Sequence, residues 1–438
     1  MAAWTRRFVD PLGEAHMARV LEREYGGMND VLYNLFAVTG DRSYRQLASR
    51  FDHERIFAPL AEGRDELKGL HVNTQIPKII GAARRYELTG DSRFRDISDY
   101  FWREVTGRRS YCTGGTSNGE RWGSDPGKLA GELSGYTQEC CCTYNMLKLT
   151  KHLFGWTADP RAADYYERAL FNGILGTQHP ADGMTLYYVS LASGYWKLFG
   201  LPLDAFWCCT GSGVESFAKL GDSIYFHDDD GVYVNLFIAS EVDWTEKGIK
   251  LIQETTFPET DSTIITVRCK TPMRMPMRIR VPYWATRGGT VKLNGRELES
   301  FAEPSSYLVL NRTWQDGDKV EVRMPMSLHI NAMPDSESVQ AVMYGPLVLA
   351  GRLGTEGLTK EVLRAEPTKI RQVPEYKSKP VQAPEFKVKS QEAKDWIEAV
   401  PNRQLEFRTV GQAQNVDLVP IYKILDERYA VYWKVSKV

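Results

Sequence analysis

Apolar residues recur at three- and four-residue spacing in VLYNLFAVTGDRSYRQLASRF, which begins at Val31, and again in IIGAARRYELTGDSRFRDISDYF, which begins at Ile79. Each run is broken once by Thr-Gly-Asp, so each reads as two amphipathic helices joined by a tight turn. Thr39, Gly40 and Asp41 recur fifty residues on as Thr89, Gly90 and Asp91. The glycine suits the left-handed residue that ends a helix, and the aspartate suits the cap of the next one. A looser third copy, NMLKLTKHLFGWTADPRAADYYERAL, gives these parts to Gly155 and Asp159. Helical hairpins repeated at this period predict a solenoid or a toroid of paired helices.

From about Ser223 the period changes from helical to two, in GVYVNLFIAS, TIITVRC, RMPMRIRVPYW, TVKLNG, SSYLVLNRTW and KVEVRMP. Alternation between Gly, Asp and Asn turns predicts an antiparallel β-sandwich, and Asn294-Gly295 is its strongest hairpin signal. VQAVMYGPLVLAG adds a strand, the Pro- and Lys-rich stretch from Ala365 to Lys389 reads as a surface connection, and LVPIYKILDERYAVYWKVSKV returns to strand character. The expected fold is therefore a mixed α+β multidomain chain. A helical domain over 1–222 is followed by a β-sandwich over 223–335 and a β-rich region over 336–438.

The 438 residues give room for two or three such domains. A formal net charge of -1 offers no field to attract nucleic acid or an anionic membrane. No apolar run approaches the length needed to span a bilayer, and MAAWTRRFVDPLGEAHM lacks the apolar core of a signal peptide, so a cytoplasmic location is expected. Walker, Rossmann and HEXXH signatures are absent, which argues against nucleotide chemistry.

Five of the seven cysteines fall into two clusters, Cys140, Cys141 and Cys142 in QECCCTYNMLKLT and Cys208 with Cys209 in FWCCTGSGVES. Adjacent cysteines make strained disulfides with each other, whereas thiolates with one carboxylate, Glu139, suit Zn²⁺. Buried free thiols acting as small hydrophobes are the plain alternative. Ligands at Glu139 and Cys141 are two residues apart and cannot share one helical face, so at least one belongs to the turn before the helix. Spacing does not decide which of the three cysteines at 140–142 face inward. Taken singly, Glu120 in the loop GGTSNGERW reads as a solvated carboxylate. His71 in HVNTQIPK reads as a satisfied partner at a helix junction, and Tyr187 and Tyr188 in LYYVSLASGYW as core.

Taken together, HVNTQIPK, GGTSNGERW, ECCCTYNMLKLTKHLF, WCCTGSGVES, YGPLVLAG and DERYAVYWKV resemble the β-L-arabinofuranosidases of glycoside hydrolase family 127 and, more closely, family 146, from about Glu24 onward. The resemblance implies an (α/α)6 barrel followed by β-sandwich domains. It also implies a Zn²⁺ held by Glu139, Cys141, Cys208 and Cys209, and retaining hydrolysis of an arabinose-containing oligosaccharide. Cys208 corresponds to the nucleophile, Glu120 to the general acid/base, and His71 and Tyr188 to residues that hold the sugar. Cys140 and Cys142 stand where the family usually has other residues and are extra thiols able to compete for metal. The helical region holds about three and a half hairpins, whereas six need about 300 residues, so the barrel is expected to be incomplete and its pocket open on one side. The alternative reading is a catalytically inactive carbohydrate-binding protein with a structural zinc. The chain does not fix its oligomeric state, and a homodimer is compatible with it.

Overall fold

The computed structural model of the chain describes residues 1–23, 25–366 and 378–438. Its helices are α1 (Ala2–Val9), α2 (Glu14–Leu21), α3 (Met28–Thr39), α4 (Arg42–Ser49), α5 (Glu54–Ala61), α6 (Val72–Thr89), α7 (Ser92–Arg108), α8 (Cys140–Thr157), α9 (Pro160–Ala169) and α10 (Cys208–Ala218). Three hairpins, α3/α4, α6/α7 and α8/α9, repeat one device. Gly40 and Gly90 close α3 and α6 at φ 71° and 72°, and Asp41 and Asp91 accept from the amides of Ser43 and Arg93. In the third hairpin Asp159 caps α9 as expected, but Gly155 lies inside α8 and Ala158 takes the left-handed position at φ 50°. The aspartate cap and Pro160 fix where α9 starts, and the left-handed residue must then immediately precede them.

The first helices of these pairs pack on one another, α3 on α6, α6 on α8 and α8 on α10, while α4, α7 and α9 lie behind their partners. This is an arc of inner helices backed by outer ones. The core between them runs through Val72, Ile76, Ile79, Ile80, Phe101, Met146 and Leu149. As inner helices of successive hairpins, α6 and α8 run in the same sense.

The β-sandwich consists of two sheets. One has four strands, with Val232–Val234 parallel to Met273–Val281, a parallel pair within an otherwise antiparallel arrangement. The other has six, and its Asn294-Gly295 turn carries φ of 51° and 80° between Leu293 and Arg296, as a tight hairpin of this kind requires. Trp314, Val320, Ile265 and Met277 fill the space between them. A third, ten-stranded sheet follows. Leu328–Met333 pairs with Ser336–Tyr344 in that sheet, so the third unit starts before residue 336. Of the stretch from Ala365 to Lys389, residues 367–377 lie outside the described residues, as does Glu24, and Phe386–Val388 is a strand parallel to Tyr432–Lys437 rather than connection.

Many contacts tie the domains together, among them one strand pairing and one buried charge cluster. Tyr195–Trp196, from the long segment before α10, pairs with Arg428–Ala430 of the third sheet. Arg280 of the sandwich, fully buried, donates to Asp164 and Glu167 of α9 at 2.6 and 2.5 Å, and Trp284 donates to Glu167 at 2.8 Å. No helix among the described residues is long and apolar enough to cross a membrane.

Candidate metal and catalytic centre

The site lies where α6, α8 and α10 begin. His71 is the cap residue of α6, Glu139 that of α8, and Cys208 the first residue of α10. Helix starts carry unsatisfied amides and a partial positive charge, so they favour carboxylates and thiolates. Glu139 does not spend its side chain on the amides of α8. Its Oε1 lies 3.8 Å from both Cys208 Sγ and Cys209 Sγ, while its Oε2 faces Cys142 Sγ at 3.4 Å.

Cys141 Sγ stands 3.2 Å from Cys209 Sγ, and Cys208 Sγ stands 3.9 Å from Cys209 Sγ. The four ligand atoms of Glu139, Cys141, Cys208 and Cys209 all lie within 4.8 Å of one another. A tetrahedral ion with metal–sulfur bonds near 2.3 Å has sulfur–sulfur edges of roughly 3.8 Å, which these separations approximate. Glu139 and Cys141 are drawn from either side of the helix start, as the two-residue spacing demands. Among the described residues no Lys or Arg pairs with Glu139, although it is 1% exposed. Burial, then the neighbouring Cys208 and Glu120, push its carboxyl well above the usual range. An uncompensated buried carboxylate beside three thiols is costly, and a bound cation removes that cost. The cluster therefore fits a metal ion.

Of the four ligands, Cys208 alone is exposed. Hydrogen bonding with Cys141 and Cys209, and less with Tyr187, holds its thiol far below the ordinary range, with burial opposing. Cys140 is buried near Tyr429 and is not one of the four clustered ligands, whereas Cys142 touches the carboxylate of Glu139. Ser212 Oγ lies 3.2 Å from Cys141 Sγ.

Glu120 occupies the tip of a hairpin in which Gly119 and Glu120 have φ of 54° and 68° between Asn118 and Arg121, which hydrogen-bond to each other. A non-glycine residue held left-handed costs on the order of 1–2 kcal/mol, a strain that is common at functional positions. Its carbonyl accepts from Val72 at the start of α6, at 2.8 Å, which fixes the turn to the helix that carries His71. The carboxylate is 6% exposed and is not the solvated loop acid that its sequence context suggests. Oε1 accepts from Tyr187 Oη at 2.5 Å, and Oε2 lies 3.7 Å from His71 Nε2. His71 Nδ1 accepts from the Thr74 amide at 3.3 Å, which leaves the proton of the neutral ring on Nε2, facing the acid.

Tyr187 Oη also lies 3.8 Å from Cys208 Sγ, so one phenolic oxygen stands between thiol and carboxylate. Tyr188, the tyrosine expected to hold sugar, pairs by its backbone with Glu139. It packs its ring against Tyr187 at 4.6 Å and Tyr136 at 6.0 Å and is buried. Tyr187, which the sequence left as core, is thus the tyrosine that touches both Cys208 and Glu120. The two adjacent rings pack on each other, and nothing in LYYVS separates one from the other.

Residues 1–222 match the family described as β-L-arabinofuranosidase, GH127 catalytic domain, and residues 231–326 the GH127 middle domain; residues 329–435 match a domain of unknown function. The non-reducing end β-L-arabinofuranosidase of Bifidobacterium longum subsp. longum is 27% identical over 295 residues, which are 61% of this chain and 43% of that protein. The match thus spans less than half of the relative's length. Among solved structures, a GH127 β-arabinofuranosidase superposes with a TM-score of 0.73 at 22% identity, over 93% of this chain and 68% of the other. A GH127 β-L-arabinofuranosidase from Geobacillus stearothermophilus T6 gives 0.69 at 18% identity, over 92% and 71%. At these identities the likeness is one of fold.

Proposed function

This chain belongs to the GH127 β-L-arabinofuranosidase family, and from that premise we propose that it is a zinc-dependent retaining glycoside hydrolase releasing L-arabinofuranose from β-L-arabinofuranosides. The observation that carries this reading is the contact of Tyr187 Oη with both Cys208 and Glu120, which places a reachable thiol beside a buried acid. When bound, zinc supplies the positive charge that keeps the thiols of its ligands deprotonated at neutral pH.

Cys208 Sγ attacks the anomeric carbon as the bond to the leaving oxygen breaks, and Glu120 gives its proton to that oxygen. The sugar is then held as a thioglycoside on Cys208. Glu120, now ionised, takes a proton from water, which attacks the same carbon and releases the thiolate. Two displacements return the original configuration. The single oxygen between thiol and carboxylate suits this sequence better than the wide gap of inverting enzymes, which accommodates a water. Tyr187 donates to Glu120 and steadies its orientation, and His71 Nε2 presents a second donor on the same side. His71, partly exposed beside Glu120, is the residue of the expected pair that can reach a sugar, whereas Tyr188 is buried behind Tyr187.

The test is release of nitrophenol from a nitrophenyl β-L-arabinofuranoside by the zinc-loaded chain. Turnover that disappears in Cys208→Ser, with zinc content and folding retained, is the expected result. Undiminished turnover in Cys208→Ser sinks the proposal, as does wild-type inactivity with one zinc per chain.

A further inference from the structure

A separate cavity of about 400 Å³ lies on the outer side of the helical domain, between α7, the ends of α8 and α9, and the first sandwich. Its size is in the range of small-ligand sites. Trp102, Trp156 and Tyr165 give it flat apolar walls, and Arg95, Arg168 and Tyr283 supply polar groups. The acids on its wall are already engaged. Asp99 pairs with Arg103 at 2.9 Å, Asp159 with Arg161 at 2.6 Å, and Asp164 with Arg280 at 2.6 Å.

What remains is cationic and donating. Among the described residues Arg168 pairs with no carboxylate, and its only ring contact is with Tyr165, at 5.9 Å. Arg168 Nε and Tyr283 Oη are both buried without a hydrogen-bond partner. Arg95 also has no acidic partner there. A partly exposed arginine without an acidic partner, with a second bordering the same cavity, is the complement of a planar carboxylate. The aromatic walls suit the C–H faces of a sugar ring.

We infer that this cavity is a second saccharide site, distinct from the metal centre, which takes a sugar bearing a carboxylate, a uronate unit. Arg168 pairs with the carboxylate, and Arg95 adds a second positive charge at the same cavity. The choice of a saccharide rests on the glycosidase reading; the choice of an anion does not. Such a site would anchor an acidic glycan while the metal centre works on a neutral branch.

The test is calorimetric titration of the zinc-loaded full chain, at constant ionic strength, with D-galacturonate, D-galactose and inorganic phosphate. Expected are one-to-one binding of galacturonate and at least tenfold weaker binding of galactose and of phosphate. Arg168→Gln should lose at least tenfold in galacturonate affinity. Arg95→Gln, at an exposed position on the same cavity, should lose several-fold and serves if Arg168→Gln does not fold. Cys208→Ser should bind galacturonate as the wild type does. Absence of binding, equal affinity for phosphate, or unchanged affinity in both cavity variants overturns the inference. Nitrophenol release measured on the same protein separates the two sites, since inactivity with galacturonate binding intact counts against the catalytic reading alone.

Discussion

Tyr187 and Glu120, separated by 66 intervening residues, share a hydrogen bond of 2.5 Å, and the same phenolic oxygen lies 3.8 Å from Cys208 Sγ. The tyrosine thus joins the proposed nucleophile to the proposed proton carrier. Removing the hydroxyl in Tyr187→Phe leaves Glu120 buried with one donor fewer. A loss of roughly 10²-fold in kcat is expected, with a much smaller change in KM and a displaced pH limb for the acid. Steady-state rates across pH check this; a change confined to KM would reduce Tyr187 to a sugar contact.

Cys142 faces the oxygen of Glu139 that is turned away from Cys208 and Cys209. Its S–H leaves the other oxygen for the metal, as partners of metal ligands commonly do. Cys142→Ala is expected to weaken zinc retention by about 10-fold or more. Cys140→Ala, altering a core thiol outside the cluster, should leave zinc retention unchanged. Competition with a chromogenic chelator measures both, and equal retention in the two variants would count against the assignment.

Burial, followed by the neighbouring Lys78, lowers the pKa of His53 from 6.5 to about 4. The unfolded chain therefore binds more protons than the folded one between those values. Stability is full above about pH 6.5 and falls as pH drops toward 4. Urea midpoints at pH 7 and pH 4.5 should differ less in His53→Gln than in the wild type.

Arg280 is the buried counter-charge of both Asp164 and Glu167. Arg280→Leu leaves two carboxylates without it and is expected to cost about 3–5 kcal/mol, measured by urea unfolding. Burial raises the Glu167 pKa and Arg280 opposes that rise, so the double change Arg280→Leu with Glu167→Gln should recover part of the loss.

Local signals carried much of this architecture. The Thr-Gly-Asp turns and Asn294-Gly295 are set by backbone chemistry within a few residues, and the structure keeps them where the sequence places them. Glu139 and the two cysteine clusters were legible because such clusters are rare, but spacing left Cys140, Cys141 and Cys142 undecided and only the family resemblance pointed to Cys141. Tyr187 was not legible, since nothing local distinguishes it from Tyr188, against which its ring packs. The pairing of Tyr195–Trp196 with the third sheet and the parallel strand Val232–Val234 join residues distant in sequence, and nothing local records such partners. Glu120 looked solvated because the left-handed turn that folds it inward, against Val72 and Tyr187, depends on α6 being in place.

The four clustered ligand atoms come from the starts of α8 and α10, with the whole of α9 and a long irregular segment between them. Neither helix holds enough donors alone, so the ion can be captured only after the two have docked. Uptake of an ion by this cluster should therefore come late in folding, at a rate that reports closure of the helical arc rather than encounter with the ion. Nascent chains lacking α10 would leave Glu139 and Cys141 exposed as a weak two-ligand pair.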